Sequence, residues 1–448
     1  MLDKGDARMA EAKAQSRPAL AWWQVLGRYS VFESGDSAWS LIIVSTYFGA
    51  FLQAALGQSG AHFGWAIMTA SLVIALASPV LGALADHSGR RQPYLRVFVL
   101  AAVLFTALLA FAGAVWQALL FFILAYISVN GAFTFFTAML PAVSNERNIS
   151  TITAMTVGIG YAGGLISMLT LGRLVPSDEF AGRVFLPMAA IYLVFALPAM
   201  FLSPDFRPLG GKPLDVGAAY RRIGTTIREV RKHRFLFRFL VGDFLYENAV
   251  ASVITLMGLY SRNVMGFKAS ELTAVFGPAI VIAMLSAWVV FGPLIRLIGP
   301  KRTVLVDLGV WLLLFILTLA IRPGTHLDLG PLHLGTKALF TVAVAPLAGM
   351  GLAGVWSASR VLLTALTPVE KAGEFWGLYN LSGRTASVLG DATWALILTL
   401  LGERLFGYQV AIVALALFVV GGGILILTLP DARPTAANFV AAAREEVA

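Results

Sequence analysis

The sequence predicts an all-α membrane protein: twelve transmembrane helices in two pseudo-symmetric six-helix bundles. Three observations carry this expectation. The first is composition. Of the 448 residues, 58% belong to the set AVILMFWYC and only 13% are charged, about half the charged share of a soluble domain. Mean hydropathy is +0.80. A soluble fold with so little charge has too little polar surface to cover itself, so lipid is the solvent for most of the chain. The second is that apolar residues gather into twelve stretches, each about 20 residues long or more, the length that crosses a hydrocarbon core about 30 Å thick. The third is an echo between the two halves of the chain. This composition excludes a disordered or collagen-like chain, and no nucleic-acid partner is expected despite a net charge of +9. With no Cys there is no disulfide framework, thiol nucleophile or thiolate metal site.

The spans fall at 30–55, 62–84, 94–115, 117–141, 152–173, 184–203, 236–260, 270–297, 303–321, 336–365, 375–400 and 408–429. Each has to be helical, because the bilayer core offers no water to an unpaired backbone group. Residues 1–29 are a tail without the apolar core of a signal peptide, since Asp3, Asp6 and Glu11 mix with Lys4, Arg8 and Lys13. Trp22 and Trp23 suit an interfacial anchor at the entrance to the first span. Residues 30–203 form the first bundle, 236–429 the second, and 430–448 a second tail.

The loops set the orientation. Segments on the side of the two termini carry 25 Lys and Arg, and the opposite loops carry 7. By the positive-inside rule both termini are cytoplasmic, and the expected location is an inner (plasma) membrane. The longest polar segment, 204–235, holds Pro208, Gly210, Gly211 and Pro213, then a basic run from Tyr220-Arg221-Arg222 to Arg231-Lys232-His233-Arg234. It reads as a linker followed by an amphipathic helix lying on anionic lipid headgroups.

Two short echoes link the halves. Gly82-Ala83-Leu84-Ala85-Asp86-His87-Ser88-Gly89-Arg90-Arg91 corresponds to the run from Gly292 to Arg302, with Arg296 standing where the first copy has Asp86. Leu140-Pro141 before the fifth span corresponds to Thr367-Pro368 before the eleventh. Two related six-helix halves are the sequence correlate of alternating access, with a substrate site near the midplane.

The segment from Gly82 to Arg91 resembles the signature loop of the major facilitator superfamily, glycine-x-leucine-x-aspartate-x-x-glycine-arginine-arginine. A narrower likeness lies in Gly354-Val355-Trp356-Ser357-Ala358-Ser359-Arg360, Pro368 and the run from Glu374 to Arg384. These are similar to the autophagy-related vacuolar amino-acid effluxers and their bacterial relatives, as are Tyr246 to Val250, Gly158 to Gly164 and Asp36 to Trp39. Two positions depart from that pattern: Asp391 stands where the subfamily has proline, and Glu247-Asn248 inverts its polar-then-acidic order. The resemblance implies a twelve-helix transporter. It also implies a cytoplasmic gate of Gly82, Asp86, Gly89, Arg90 and Arg91, in which Asp86 approaches the N-terminus of the eleventh span and an arginine meets Glu374.

Ionisable side chains inside a span cost about 2.5–3.5 kcal/mol each on insertion scales, so they normally face a cavity or a partner. The candidates are Glu33 and Asp36 in the first span, Asp243 and Glu247 in the seventh, and Arg384 and Asp391 in the eleventh. Glu33 and Asp36 are three apart and Asp243 and Glu247 four apart, so each pair shares a helix face. The first and seventh spans are equivalent, and the pairs are expected to flank one central cavity that couples solute movement to a proton. The alternative is that they lie near water at the helix ends or are neutralised by structural partners. Arg384 stands near the midplane, suited to a solute carboxylate or phosphate or to an ion pair with Asp391 or Glu247.

Gly158-x-Gly160-x-x-Gly163 and Gly349-x-Gly351-x-x-Gly354 match the dinucleotide fingerprint but lie in apolar runs without a preceding strand, so they read as helix-packing surfaces. Asn148-Ile149-Ser150 is a sequon on the cytoplasmic side. The five His residues show no ligand spacing, and neither a metal nor a cofactor is expected. No nucleophile–base pair suggests an enzyme. The expected function is secondary transport of a small polar solute, such as an amino acid or short peptide, by a monomer driven by a proton or other cation. Competing expectations are a sugar–cation symporter, a lipid or lysolipid flippase, and a non-transporting receptor or assembly factor.

Overall fold

A computed structural model describes residues 22–88, 90–143, 149–203, 216–329, 332–368 and 372–432. The helices are α1 (Trp23–Ala54), α2 (Gly60–Ser88), α3 (Gln92–Leu109), α4 (Val115–Thr137), α5 (Ile149–Leu171) and α6 (Phe185–Phe201). After the short α7 (Val216–Val230) come α8 (Arg234–Asn263), α9 (Ala269–Ile298), α10 (Pro300–Ala320), α11 (Thr336–Leu366), α12 (Ala372–Leu401) and α13 (Leu405–Leu427). All but α7 are membrane spans. Eleven are long and apolar throughout a full crossing, whereas α12 reserves its continuous apolar run for Thr385–Leu401 and carries polar residues before it.

The packing repeats between the halves. In the first bundle α1 packs on α5 and α6, α3 on α4 and α6, and α2 on α4. In the second, α8 packs on α12 and α13, α10 on α11 and α13, and α9 on α11. Each pairing of the first bundle thus has its counterpart in the second. Between bundles α1 meets α8, α2 meets α12, and α5 meets α9, which is the pattern a two-fold relation between halves requires. Stripes such as Val97, Leu100 and Leu104 on α3, and Leu417, Val420 and Ile424 on α13, stay exposed. Their helical spacing gives each span an apolar outer face suited to acyl chains.

The first span starts earlier than the expected residue 30. The chain is helical from Trp22, with Val25 and Tyr29 buried and Trp23 exposed. Gly27, Arg28 and Ser30 depress the local hydropathy, but the Tyr29 ring stacks on Phe136 at 4.3 Å and so holds this turn in the bundle. Wide, π-type turns at Leu26–Ser30 and Ser40–Tyr47 flank the segment Val31–Trp39, which carries Glu33 and Asp36. Such turns rotate side chains off the regular helical register and occur often at functional positions.

Five of the six fingerprint glycines serve close packing, and Gly158 faces open space. A Cβ on Gly160 or Gly163 meets Glu33, Ser37 or Ser34 of α1, and one on Gly349, Gly351 or Gly354 meets Ala279, Trp311 or Asp307. The linker helix α7 presents Arg221 and Arg228 outward and buries Thr226 and Val230, while Tyr220 Oη donates to the Leu76 carbonyl of α2. It rests on α2, α8 and α12 and so touches both bundles. The loop before α11 adds a small antiparallel hairpin, β1 (Leu327–Leu329) with β2 (Leu332–Leu334), which the hydropathy pattern does not indicate.

Candidate functional site

The charged groups of the spans form layers between the two bundles. In the layer nearer the termini, Glu247 of α8 accepts from Trp356 Nε1 at 3.0 Å through Oε1 and lies within electrostatic reach of the Arg360 guanidinium. Both Trp356 and Arg360 belong to α11. Arg360 also hydrogen-bonds Tyr379 of α12 and reaches Tyr161 of α5, which senses Glu33 of α1 as well. Arg360 is exposed although it lies inside α11. Arg360 is thus within electrostatic reach of Glu247 and Tyr379 of the second bundle and of Tyr161 of the first.

Asp243, one turn before Glu247, is more deeply set. Tyr246 Oη donates to its Oδ1 at 2.6 Å and lies 2.7 Å from Ser359 Oγ. Asp307 of α10 is fully buried, and neither carboxylate oxygen has a hydrogen-bond partner among the described residues. It sits where Gly354 lets α11 approach α10 and is within electrostatic reach of Glu247. Asp36 is within electrostatic reach of Tyr126 and Tyr192 of the first bundle. Asp391 of α12 accepts from Thr255 Oγ1 at 3.1 Å and also reaches Tyr126.

Two of these charged residues, Arg360 and Asp307, are absent from the set expected from the sequence. Arg360 lies near the end of its span and counts there as a positive-inside anchor. Asp307 meets the rule that singled out the other acids, an ionisable group within an apolar span, and was open to the same inference.

At the end opposite the termini the bundles are tied together. Arg262, at the end of α8, donates to Asp178 Oδ2 through Nη2 at 2.8 Å and Nε at 3.2 Å, and to Gln53 Oε1 at 3.0 Å. Asp178 Oδ1 accepts from the Ala269 backbone at 2.7 Å. Glu403 accepts from Gln53, Asn263 and the Ala61 backbone, and Trp65 donates to Thr399. Below this network Ser45 Oγ donates to the Ile254 carbonyl at 2.9 Å, and Gly258 lies directly on the Ser45 backbone. These residues occupy loops and helix ends, where a charge signals only an interface with water, so the pattern of spans does not mark them.

The side chains of Arg384, Asp86 and Glu374, together with Gly82, Gly89 and Asn148, lie outside the described part of the structure. Of the expected gate, Arg90 is exposed and Arg91 half-buried at the start of α3. Among the described residues no group of three His, Asp or Glu side chains is disposed to hold a metal ion.

Known proteins share this plan. The Major Facilitator Superfamily pattern matches residues 36–390. The uncharacterized MFS-type transporter YxiO of Bacillus subtilis (strain 168) is 26% identical over 424 residues, covering 90% of this chain and 94% of that one. The multidrug resistance protein MdtG of Salmonella arizonae is 27% identical over 252 residues, 55% of this chain and 59% of its own. Among solved structures, the nucleoside transporter NupG superposes with a TM-score of 0.69 at 13% identity, covering 90% of this chain and 98% of that chain. A bacterial homolog of the human lysosomal transporter Spinster, inward-facing and unoccupied, gives 0.64 at 14% identity, covering 96% and 98%. The duplicated bundles, the polar layers between them and the match over most of the sequence lead to one conclusion: this multi-pass membrane chain is a non-enzymatic transporter and belongs to the major facilitator superfamily.

Proposed function

We propose that this protein is a secondary active transporter that moves a small polar solute, such as an amino acid or short peptide, by alternating access driven by protons. The observation that carries this reading is the position of Arg360, which reaches Glu247 and Tyr379 of its own bundle and Tyr161 of the other. A guanidinium exposed to a gap between bundles is a fixed partner for a solute carboxylate. Glu33 and Glu247 on opposite walls supply anionic partners for an ammonium group. A zwitterion that engages both walls draws the bundles together, which is how solute binding favours a change of access.

Acids between the bundles give the driving ion its seat. A proton held on Glu33, Asp36, Asp243 or Glu247, or a cation held at Asp391, removes the electrostatic cost of carrying a bare carboxylate through the occluded state. Arg384 is the further basic candidate on α12. With the termini in the cytoplasm of a bacterial inner membrane, the Arg262 network closes the outer face. Asp86, Arg90, Arg91 and Glu374 then form the opposing gate, with Gly82 and Gly89 allowing its turn. The chain works as a monomer in contact with membrane lipid.

Uptake into proteoliposomes tests this, with a panel of amino acids, dipeptides, nucleosides and sugars, with and without a pH gradient. Uptake of a zwitterion that rises several-fold with the gradient supports the reading. Uptake restricted to uncharged solutes overturns the assigned solute class, and indifference to the gradient overturns the proton coupling.

A further inference from the structure

A second polar layer lies between the acidic cluster and the tied end. Thr255 is eight residues beyond Glu247 on α8, about 12 Å farther along the helix. Here one carboxylate is ringed by hydroxyls. Asp391 is fully buried. Thr255 Oγ1 bonds its Oδ1 at 3.1 Å, and the hydroxyls of Ser252 and Ser387 approach the same carboxylate. Ser387 Oγ donates to Ser71 Oγ of α2 at 3.0 Å, and Ser71 in turn donates to Tyr126 Oη of α4 at 3.4 Å. Asp391 Oδ2 and Ser252 Oγ are buried without hydrogen-bond partners among the described residues. Gly390 lets the Ser252 hydroxyl come this close, since a Cβ there collides with it.

We propose that Asp391, Thr255, Ser252 and Ser387 of the second bundle, with Ser71 and Tyr126 of the first, form a site for a dehydrated sodium ion. The donors are all oxygens, which suits a hard cation. The ring carries a single carboxylate, so a monovalent ion balances it, whereas a divalent one leaves a buried excess charge. A proton occupies one oxygen and leaves the other donors without purpose, while sodium uses several, because each hydroxyl can rotate a lone pair toward it. Since Ser71 and Tyr126 belong to the first bundle, the bound ion ties α2 to α12 and stabilises the arrangement in which the end opposite the termini is closed.

This extends the coupling role proposed above for Asp391 by naming an ion and its donors. Its test reads ion binding with no solute present, so it stands or falls separately from proton-driven uptake. The purified full-length protein in detergent is unfolded thermally in NaCl, KCl or choline chloride at constant ionic strength. Sodium is expected to raise the midpoint by about 2 °C or more over choline, saturably. Asp391→Asn abolishes that increment, and Ser387→Ala, which keeps the charge, raises the half-saturating sodium concentration about tenfold. The absence of a sodium-specific increment in the wild type, an equal effect of potassium, or an undiminished increment in Asp391→Asn overturns the site. If Asp391→Asn does not fold, the wild-type titration and Ser387→Ala decide the matter.

Discussion

The Arg262 guanidinium grips the Asp178 carboxylate across the boundary between the bundles, through Nη2 at 2.8 Å and Nε at 3.2 Å, with its own side chain only 7% exposed. Hydrogen bonds to charged groups shielded from water contribute about 1.5–3 kcal/mol. If this contact exists only while that end is closed, its loss shifts the closed–open balance about 10- to 100-fold. The chain has no Cys, so a single Ser45→Cys reports access without interference. Arg262→Ala is expected to speed its labelling by a membrane-impermeant maleimide, added from the side opposite the termini, at least several-fold. Asp178→Asn acts in the same direction but more weakly, and the exchange Arg262→Asp with Asp178→Arg restores protection. Labelling indifferent to all of these substitutions removes the latch from the account.

Gly258 offers a steric version of the same experiment. Its Cα faces the Ser45 carbonyl so closely that an added Cβ overlaps backbone rather than a movable side chain. Gly258→Ala therefore has to part α1 from α8 at the tied end. Overpacking of this kind costs about 1–3 kcal/mol, charged here against the closed arrangement alone. The expected result is faster labelling at Ser45→Cys with little change in the yield of folded protein. Unchanged labelling with full transport shows that the two helices do not meet as described.

Arg360 separates recognition from folding. Its guanidinium is exposed, so its replacement leaves no buried void. Arg360→Gln is expected to lower zwitterion uptake at least tenfold while the unfolding midpoint changes by less than about 2 °C. Arg360→Lys, which keeps the charge but not the two-pronged geometry, recovers only part of the loss. Arg384→Gln, run beside it, asks which arginine meets the solute. If Arg360→Gln transports normally and Arg384→Gln does not, the solute anchor moves to α12.

The helices are legible in the sequence because the bilayer leaves the backbone a single option, and the paired bundles because the loop from Gly82 to Arg91 is echoed from Gly292 to Arg302. The start of α1 is not, since Tyr29 is held by a ring on α4 that local hydropathy does not report. The acids Glu33, Asp243, Glu247 and Asp391 stand out as charges in apolar runs. What each one faces depends on helix rotation, which the wide turns of α1 alter. Asp391 shows the limit most clearly: the sequence places it seven residues from Arg384 but does not announce its hydroxyl partner Thr255 on α8, nor the link from Ser387 to Ser71 and Tyr126 of the other bundle. Contacts between bundles join residues more than two hundred positions apart, beyond the reach of any local period.

The Tyr246–Asp243 pair provides the last test, because it separates a structural acid from a mobile one. Asp243 is 1% exposed, and Tyr246 Oη, 2.6 Å away, lies between it and Ser359. Tyr246→Phe removes the donor and leaves the carboxyl group beside a ring edge, at an expected cost of about 1–3 kcal/mol. Asp243→Asn keeps the shape and can still accept from the tyrosine, so on its own it is expected to cost less. A double-mutant cycle on unfolding then gives a coupling energy of about 1 kcal/mol or more if the pair persists through the folded population. A coupling near zero, with uptake lost in Asp243→Asn, marks Asp243 as an acid that leaves Tyr246 during transport. Strong coupling with normal uptake in Asp243→Asn identifies Asp243 as a structural acid that holds Tyr246 against Ser359 of α11, and moves the driving ion to Glu247 or Glu33.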